Sequence, residues 1–313
     1  MENPFSSEAS HDAARESTPP SSVKPDSTKR LRELAMTPER LLEQDVRQEV
    51  EERLRDMMQP ALKIGEGQVA DVYAGREGNG MGGFCIKHKA RLTPETALDN
   101  ELQVEMQLQE RAYRILEDAR VKGLSVARVP QPWVYIKTSK GEEILSMDRV
   151  PGKTLRRLML ERVVQNVPDK DILPGYRREM LKDAHDDDLE EMVLNRFLKA
   201  GAKSTAEMHQ ALVSQAGSPP FLSTELALQI RNTLQTLNRN GLYHRDLHAK
   251  NIMISDDLTQ AYLIDFGRAS YGEHTSMDEA TDVERAGTKV RYLRDEGILS
   301  TISKLIPKPV KKA

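Results

Sequence analysis

Residues 244–251 read HRDLHAKN, and Asp265 follows in the run LIDFGR. The amide oxygen of Asn251 and the carboxylate of Asp265 are hard oxygen ligands, of the kind Mg²⁺ accepts when phosphates complete its coordination shell. Between them the apolar runs IMIS and AYLID flank DDLTQ. That pattern predicts a β-hairpin whose outer ends meet, which makes Asn251 and Asp265 neighbours. Asp246 precedes Asn251 by little more than one turn of chain, so its carboxylate lies near a metal-bound phosphate, free to orient a hydroxyl or accept its proton. These three groups together suit the movement of a phosphoryl group from a nucleotide.

Such chemistry needs elements that hold the nucleotide, and the first half of the chain offers them. The stretch LKIGEGQVADVYAG, 62–75, places Gly65 and Gly67 between short alternating apolar segments, which predicts strand, tight turn, strand. Glycine backbone can approach phosphate oxygens without interference from a Cβ. A dinucleotide-binding fingerprint would require a helix after the glycines, and a P-loop would require Gly-Lys-Ser/Thr; neither is present, and a plain hairpin also fits. The next predicted strand, GGFCIKHKA, sets Lys87 among apolar residues, where an ammonium is costly unless an anion meets it. Thr93 and Pro94 then open a predicted helix to about residue 120, with Leu108, Ala112, Ile115, Leu116 and Ala119 on one face. Glu105 shares that face, and Glu101 and Glu110 are rival partners for Lys87. The run EEILSMDRVPGKTL reads as a buried strand passing from one lobe to another through Met147, Asp148, Arg149 and Val150.

Composition narrows the classes. Hydrophobic residues make up 38% of the 313, enough for a sizeable core, whereas aromatics at 4% supply no platform for stacking nucleic-acid bases. A net charge of −3 argues against broad polyanion binding, so no nucleic-acid partner is expected. The single cysteine, Cys85, excludes an internal disulfide framework and fits a reducing compartment. No apolar run is long enough for a membrane span and no signal peptide is evident, so the expected location is cytoplasmic. Residues 1–29 are rich in Ser, Pro and charge and read as a disordered tail, with serines and threonines that offer self-phosphorylation sites. Residues 30–58 hold a helix capped by Thr37 with Pro38 at its first position, and Leu41, Leu42, Val46, Val50 and Leu54 repeat along it. The charged stretch around 156–200, including DAHDDDLEE, reads as a solvated insertion. Ser204 with Glu207 forms a capping box, a further helix covers about 223–239, and Gly241 ends it in left-handed geometry. PKPVKKA, at the end, reads as a basic tail over 306–313.

Taken in order, the Gly-rich loop, the strand lysine, the helix glutamate, HRD with Asn251 five residues after Asp246, and DFG resemble the protein kinase superfamily over roughly residues 62–285. The resemblance implies a two-lobed α+β kinase-like fold, with an amino-terminal lobe over 59–150 and a shortened carboxy-terminal lobe over 151–305. It implies Mg-ATP as cosubstrate and, as acceptor, most simply a serine or threonine of a protein, with a small-molecule hydroxyl (sugar, aminoglycoside or lipid headgroup) or a nucleotide-binding pseudokinase scaffold as alternatives. By the same resemblance Lys87 would hold the α and β phosphates, with Glu105 or a neighbour positioning it. Asn251 and Asp265 would bind Mg²⁺, and Asp246 would be the catalytic base. Gly65 and Gly67 would cover the phosphates, beside Ile64 and Val72 of the same hairpin. The backbone of Asp148 and Val150 would hold adenine, with Met147 at the back of the pocket.

The departures are informative. Ala70 stands where a third glycine is usual. DLH, with His248, is similar to aminoglycoside phosphotransferases, whereas a basic residue at Lys250 is similar to tyrosine kinases. Lys250 is assigned the stabilisation of charge on the transferring phosphoryl group, and His248 a structural hydrogen bond. No APE follows Asp265, and the abbreviated end resembles small atypical kinases of the RIO type, with MDEATDVERAGTKVRYLRDEG as the next helix and Asp282 beneath the catalytic loop. Cys85 is expected to be core packing, with His244 and Arg245 bracing the loop.

Overall fold

The computed structural model describes residues 44–66, 70–75, 83–89, 101–168, 186–218, 220–272 and 298–307, together with positions 175, 177, 181 and 182. Thr37, Pro38, Gly67 and Asp282, the expected helix after DFG, the expected tail over 1–29 and residues 308–313 of the other tail lie outside the described residues.

Helix α1 (Gln44–Met57) is charged along its outer face and turns Val46, Val50, Leu54 and Met57 inward at helical spacing. Strands β1 (Lys63–Glu66), β2 (Asp71–Ala74), β3 (Phe84–Lys89), β4 (Pro132–Lys137) and β5 (Glu143–Asp148) form one antiparallel sheet in the order β1-β2-β3-β5-β4. Side chains alternate across a strand, so β3 serves two faces. Phe84 and Ile86 join Trp133, Val134, Ile136 and Ile144 beneath the apolar stripe of α1. Cys85 joins Leu145, Met147 and Leu102 on the opposite face, and the same alternation sends Lys87 to that inner side.

Helix α2 (Leu102–Val121) packs across the inner face. It begins later than Pro94: Glu101 is extended at φ −58° and ψ 148° and precedes the first helical residue, while residues 90–100 are outside the described set. Leu102, Glu105, Gln109, Ala112, Leu116 and Ala119 are its buried positions, so the carboxylate at 105 is carried inward by the stripe that buries the helix.

The rest of the chain builds a mostly helical lobe. Strand β6 (Lys153–Thr154) leads to α3 (Leu155–Gln165), then come α4 (Asp186–Lys199), α5 (Thr205–Ala216) and α6 (Thr224–Arg239). Thr154, Ser204 and Ser223 each accept the N–H three residues on, from Arg157 at 3.0 Å, Glu207 at 3.2 Å and Leu226 at 3.1 Å. At α5 the returning carboxylate of Glu207 accepts from the N–H of Lys203 at 2.7 Å rather than from Ser204, a shifted form of the expected capping box. Gly241, at φ +73°, turns the chain into β7 (Leu242–Tyr243). Strand β8 (Ile252–Ile254) pairs with β9 (Ala261–Leu263) as the expected hairpin, and β10 (Ser270–Tyr271) pairs with β7.

The reading of 156–200 as a solvated insertion is corrected for α3 and α4, while most of residues 169–185 lie outside the described set. Leu155, Met159, Leu160, Val163 and Val164 of α3 are buried, and so are Leu189, Val193 and Phe197 of α4, all in the core of this lobe. The density of charge conceals an i, i+4, i+8 apolar stripe: the acidic and basic residues occupy the outer face of a helix whose inner face is fully used. No helix among the described residues is long and apolar enough to cross a membrane.

Candidate active site

Where the two lobes meet, an ammonium from β3, a carboxylate from α2 and a carboxylate from the DFG turn converge. Lys87 Nζ lies 2.8 and 2.9 Å from the two oxygens of Glu105 and 2.8 Å from Asp265 Oδ1. Glu105 is therefore the partner of Lys87. Its rivals face elsewhere, Glu101 within 4.0 Å of Lys137 and Glu110 toward Arg114. The side chains of Glu105 and Lys87 are 2% and 15% exposed. Burial alone would discharge the lysine, but the charges of Glu105 and Asp265 outweigh it and push its pKa up, so the ammonium is retained. Asp265 is likewise opposed by burial, yet Lys87 lowers it to about 2. Asp265 is thus an anion at neutral pH, and its side chain remains 43% exposed.

Backbone conformation aims these groups. Asp265 adopts φ +63° and Arg245 φ +64°, left-handed geometry that is costly outside glycine and that concentrates at functional sites. Gly267 donates to Asp265 Oδ1 at 3.4 Å. A Cβ at that position would stand 3.2 Å from Asp265 Oδ1 and 3.4 Å from Glu105 Oε2, so only glycine leaves the ion cluster undisturbed. At Gly65 the nearest contact of an added Cβ is an ordinary 3.6 Å to Val72. Strand pairing therefore does not demand glycine there.

The second half of the site is the loop 244–251. Ile264 N–H donates to the Asn251 carbonyl at 3.1 Å, which closes the hairpin and brings Asn251 beside the residue before Asp265. Asn251 Nδ2 donates to the Asp246 carbonyl at 2.8 Å. His244 is buried, packs with a tilted ring at 4.9 Å against Phe266, and donates through Nε2 to the Ile264 carbonyl at 2.9 Å. Burial lowers its pKa, so it braces the loop as a neutral ring.

Asp246 is flanked by His248, whose Nε2 is 3.6 Å from Oδ2, and by Arg268, whose Nη1 is 3.5 Å from Oδ1. His248 beside it, with help from the Arg268 charge, holds Asp246 below the usual carboxylate range. The structural hydrogen bond expected of His248 lies within the loop, where its Nδ1 accepts the Lys250 N–H at 3.2 Å. Arg268 was not singled out by the sequence reading, although its place directly after DFG was a usable signal.

Lys250 does not lie against Asp246 in this arrangement. Its Nζ pairs with Glu190 Oε2 of α4 at 3.1 Å, and Glu190 also receives Arg156 Nη2 at 2.6 Å. Glu190 is a residue that sequence reasoning missed, because its value depends on the docking of α4.

On the nucleotide side, Val72 packs on the inner cluster beside Cys85 and Met147, while Ile64 is 51% exposed. Met147 pairs in register with Cys85, and Gln109 Nε2 lies 3.4 Å from its sulfur. Asp148 N–H is committed to the Gln131 carbonyl at 2.9 Å and its carboxylate accepts from Trp133 Nε1 at 3.0 Å, so the side chain serves β4. The Asp148 carbonyl is 3.7 Å from Cys85 Sγ, and Val150 follows, half-buried. Burial, seconded by Asp148, raises the Cys85 thiol to about 12, in keeping with packing rather than redox chemistry.

A five-stranded sheet lobe joined to a helical lobe, with a lysine, two carboxylates and an Asn-Asp pair at the junction, defines a kinase-like phosphotransferase. The chain belongs to the phosphotransferase enzyme family APH, whose profile matches residues 61–274. Among solved structures it is similar to the kinase PK-1 of Cydia pomonella granulovirus, at 11% identity and a TM-score of 0.38, over 75% of this chain and 68% of that one. No curated protein matches it.

Proposed function

We propose that the protein transfers the γ-phosphoryl group of Mg-ATP to a hydroxyl, with serine or threonine of a protein as the acceptor. The observation that carries this reading is the joining of Lys87, Glu105 and Asp265 to the Asp246–Asn251 loop in one cluster. Asp265 and Asn251 fit a divalent cation by the chemistry of their donors. Asp265 engages Lys87 through Oδ1, and Asn251 spends its amide N–H on the Asp246 carbonyl, so each side chain retains an oxygen for the ion. When bound, Mg²⁺ would neutralise phosphate charge. Lys87, fixed by Glu105, would bind the α and β phosphates, Gly65 and Gly67 would cover them, and the backbone of Asp148 and Val150 would hold adenine with Ile64, Val72 and Met147 around the base. Asp246 would orient the acceptor hydroxyl and take its proton as the acceptor oxygen bonds to the γ-phosphorus and the bond to the ADP oxygen breaks. Lys250 would face the charge that gathers on the transferring group.

Membership of the phosphotransferase family and the DLH sequence at 246–248 favour a second reading, in which the hydroxyl belongs to a small molecule. One experiment separates the two: the protein is incubated with γ-labelled ATP and Mg²⁺, with a generic protein acceptor and with a panel of sugars and aminoglycosides, beside Asp265→Ala. Label on protein that vanishes in the variant supports the first reading, and label on a small molecule alone supports the second. Absence of Mg-ATP binding would remove both.

A further inference from the structure

We propose that Glu190 is a positioning residue for phosphoryl transfer, tethering the Lys250 ammonium and so making the docking of α4 part of the catalytic loop's geometry. The inference rests on the reading of Lys250 given above.

The contacts close a ring. Arg156 N–H, in the first turn of α3, donates to the Ala249 carbonyl at 2.9 Å, which pins the loop to that helix. The Arg156 guanidinium holds Glu190 Oε1 at 2.6 Å, and Glu190 Oε2 meets Lys250 Nζ, on the residue next to Ala249, at 3.1 Å. Arg156 is 11% exposed and Glu190 22%, whereas Lys250 is 53% exposed. Two members of the ring are therefore held by the fold, and the third is a long side chain standing in water. A lysine stem carries several rotatable bonds and loses substantial rotamer freedom when fixed. In most surface pairs that entropy cancels the attraction. Here the carboxylate is already placed by a guanidinium and by a helix whose Leu189 and Val193 are buried, so only the lysine has to be ordered. Glu190 Oε2 is buried and makes no hydrogen bond, so the Lys250 charge is what it faces, and moving Lys250 away leaves the carboxylate to Arg156 alone. The resting place of the Lys250 ammonium is thus set by α4 and not by the loop that carries it.

Release of inorganic phosphate from Mg-ATP, with water as acceptor, gives a turnover readout that requires no knowledge of the natural acceptor. Glu190→Gln and Lys250→Met are each expected to lower kcat by about tenfold with KM for ATP unchanged, and the double variant to be no worse than either alone. Fully multiplicative losses, or a Glu190→Gln protein that turns over like the wild type, would overturn the proposal. If the wild type releases no phosphate to water or to any acceptor, the phosphotransfer reading itself has failed. Acetylation of Lys250 by acetic anhydride, followed by peptide mass spectrometry, then decides the tether: faster modification in Glu190→Gln supports it, and an unchanged rate refutes it.

Discussion

At the scale of single residues, the ion cluster at Lys87 makes the sharpest predictions. Lys87→Met leaves Glu105 buried without its cation, and breaking a buried pair from one side costs about 3–5 kcal/mol. The double variant Lys87→Met with Glu105→Leu removes both charges and should recover much of that loss in urea unfolding, while phosphoryl transfer stays absent. Gly267→Ala should lower turnover without unfolding the protein, because the added Cβ reaches the Asp265 and Glu105 carboxylates and not the core. Steady-state kinetics beside a melting curve checks this, and unchanged kcat would refute it. Cys85, with its thiol raised to about 12, should react very slowly with aromatic disulfides at pH 8 in the folded protein and promptly in denaturant.

At the scale of elements, α1 is structural cover for the nucleotide lobe. Leu54 is fully buried against the outer face of the sheet, and Leu54→Ala should destabilise the protein by about 2–5 kcal/mol through lost transfer and a residual cavity. The inner face carries Lys87 and is untouched, so KM for ATP should hold at temperatures where the variant is folded. Helix α4 makes a pH prediction. Burial favours the neutral form of Glu190, but Arg156, and then Lys250, outweigh burial and hold its pKa below the ordinary 4.5. A depressed carboxylate stabilises the fold fully above its unfolded value and loses that contribution as pH falls through the folded value. The melting-temperature gap between wild type and Glu190→Gln should therefore be constant from pH 8 to about 6 and close as pH falls below the ordinary glutamate range. A gap that persists at the acid end would contradict the pairing.

At the scale of the whole molecule, the cluster spans the junction of the lobes, so a bound nucleotide would connect them. A ligand that binds only the folded state at one hundred times its Kd adds about 2.7 kcal/mol to stability. Mg-ATP should accordingly raise the melting temperature, and Asp265→Ala should abolish the part of the shift that depends on Mg²⁺.

Much of this organisation was legible in the residues. An apolar hairpin with Asn251 at one end and Asp265 beyond the other brings its ends together whatever surrounds it, because antiparallel pairing requires it. Alternation along β3 settles which face Lys87 shares with Cys85. Periodicity along α2 placed Glu105 among the apolar positions, but it did not choose among Glu101, Glu105 and Glu110. That choice needed the angle at which the helix meets the sheet, a property of packing between elements distant in sequence. The same limit explains α4. Its charge count suggested solvent, and only the presence of α3 and α5 against Leu189, Val193 and Phe197 shows that one face is core. Local sequence thus determined the turns, the hairpins and the types of residue the chemistry requires, because those follow from short-range sterics and periodicity. Tertiary structure decided the pairings, Lys87 with Glu105, Asp246 with Arg268 and Lys250 with Glu190, because a charge finds its partner only where separate elements are packed together.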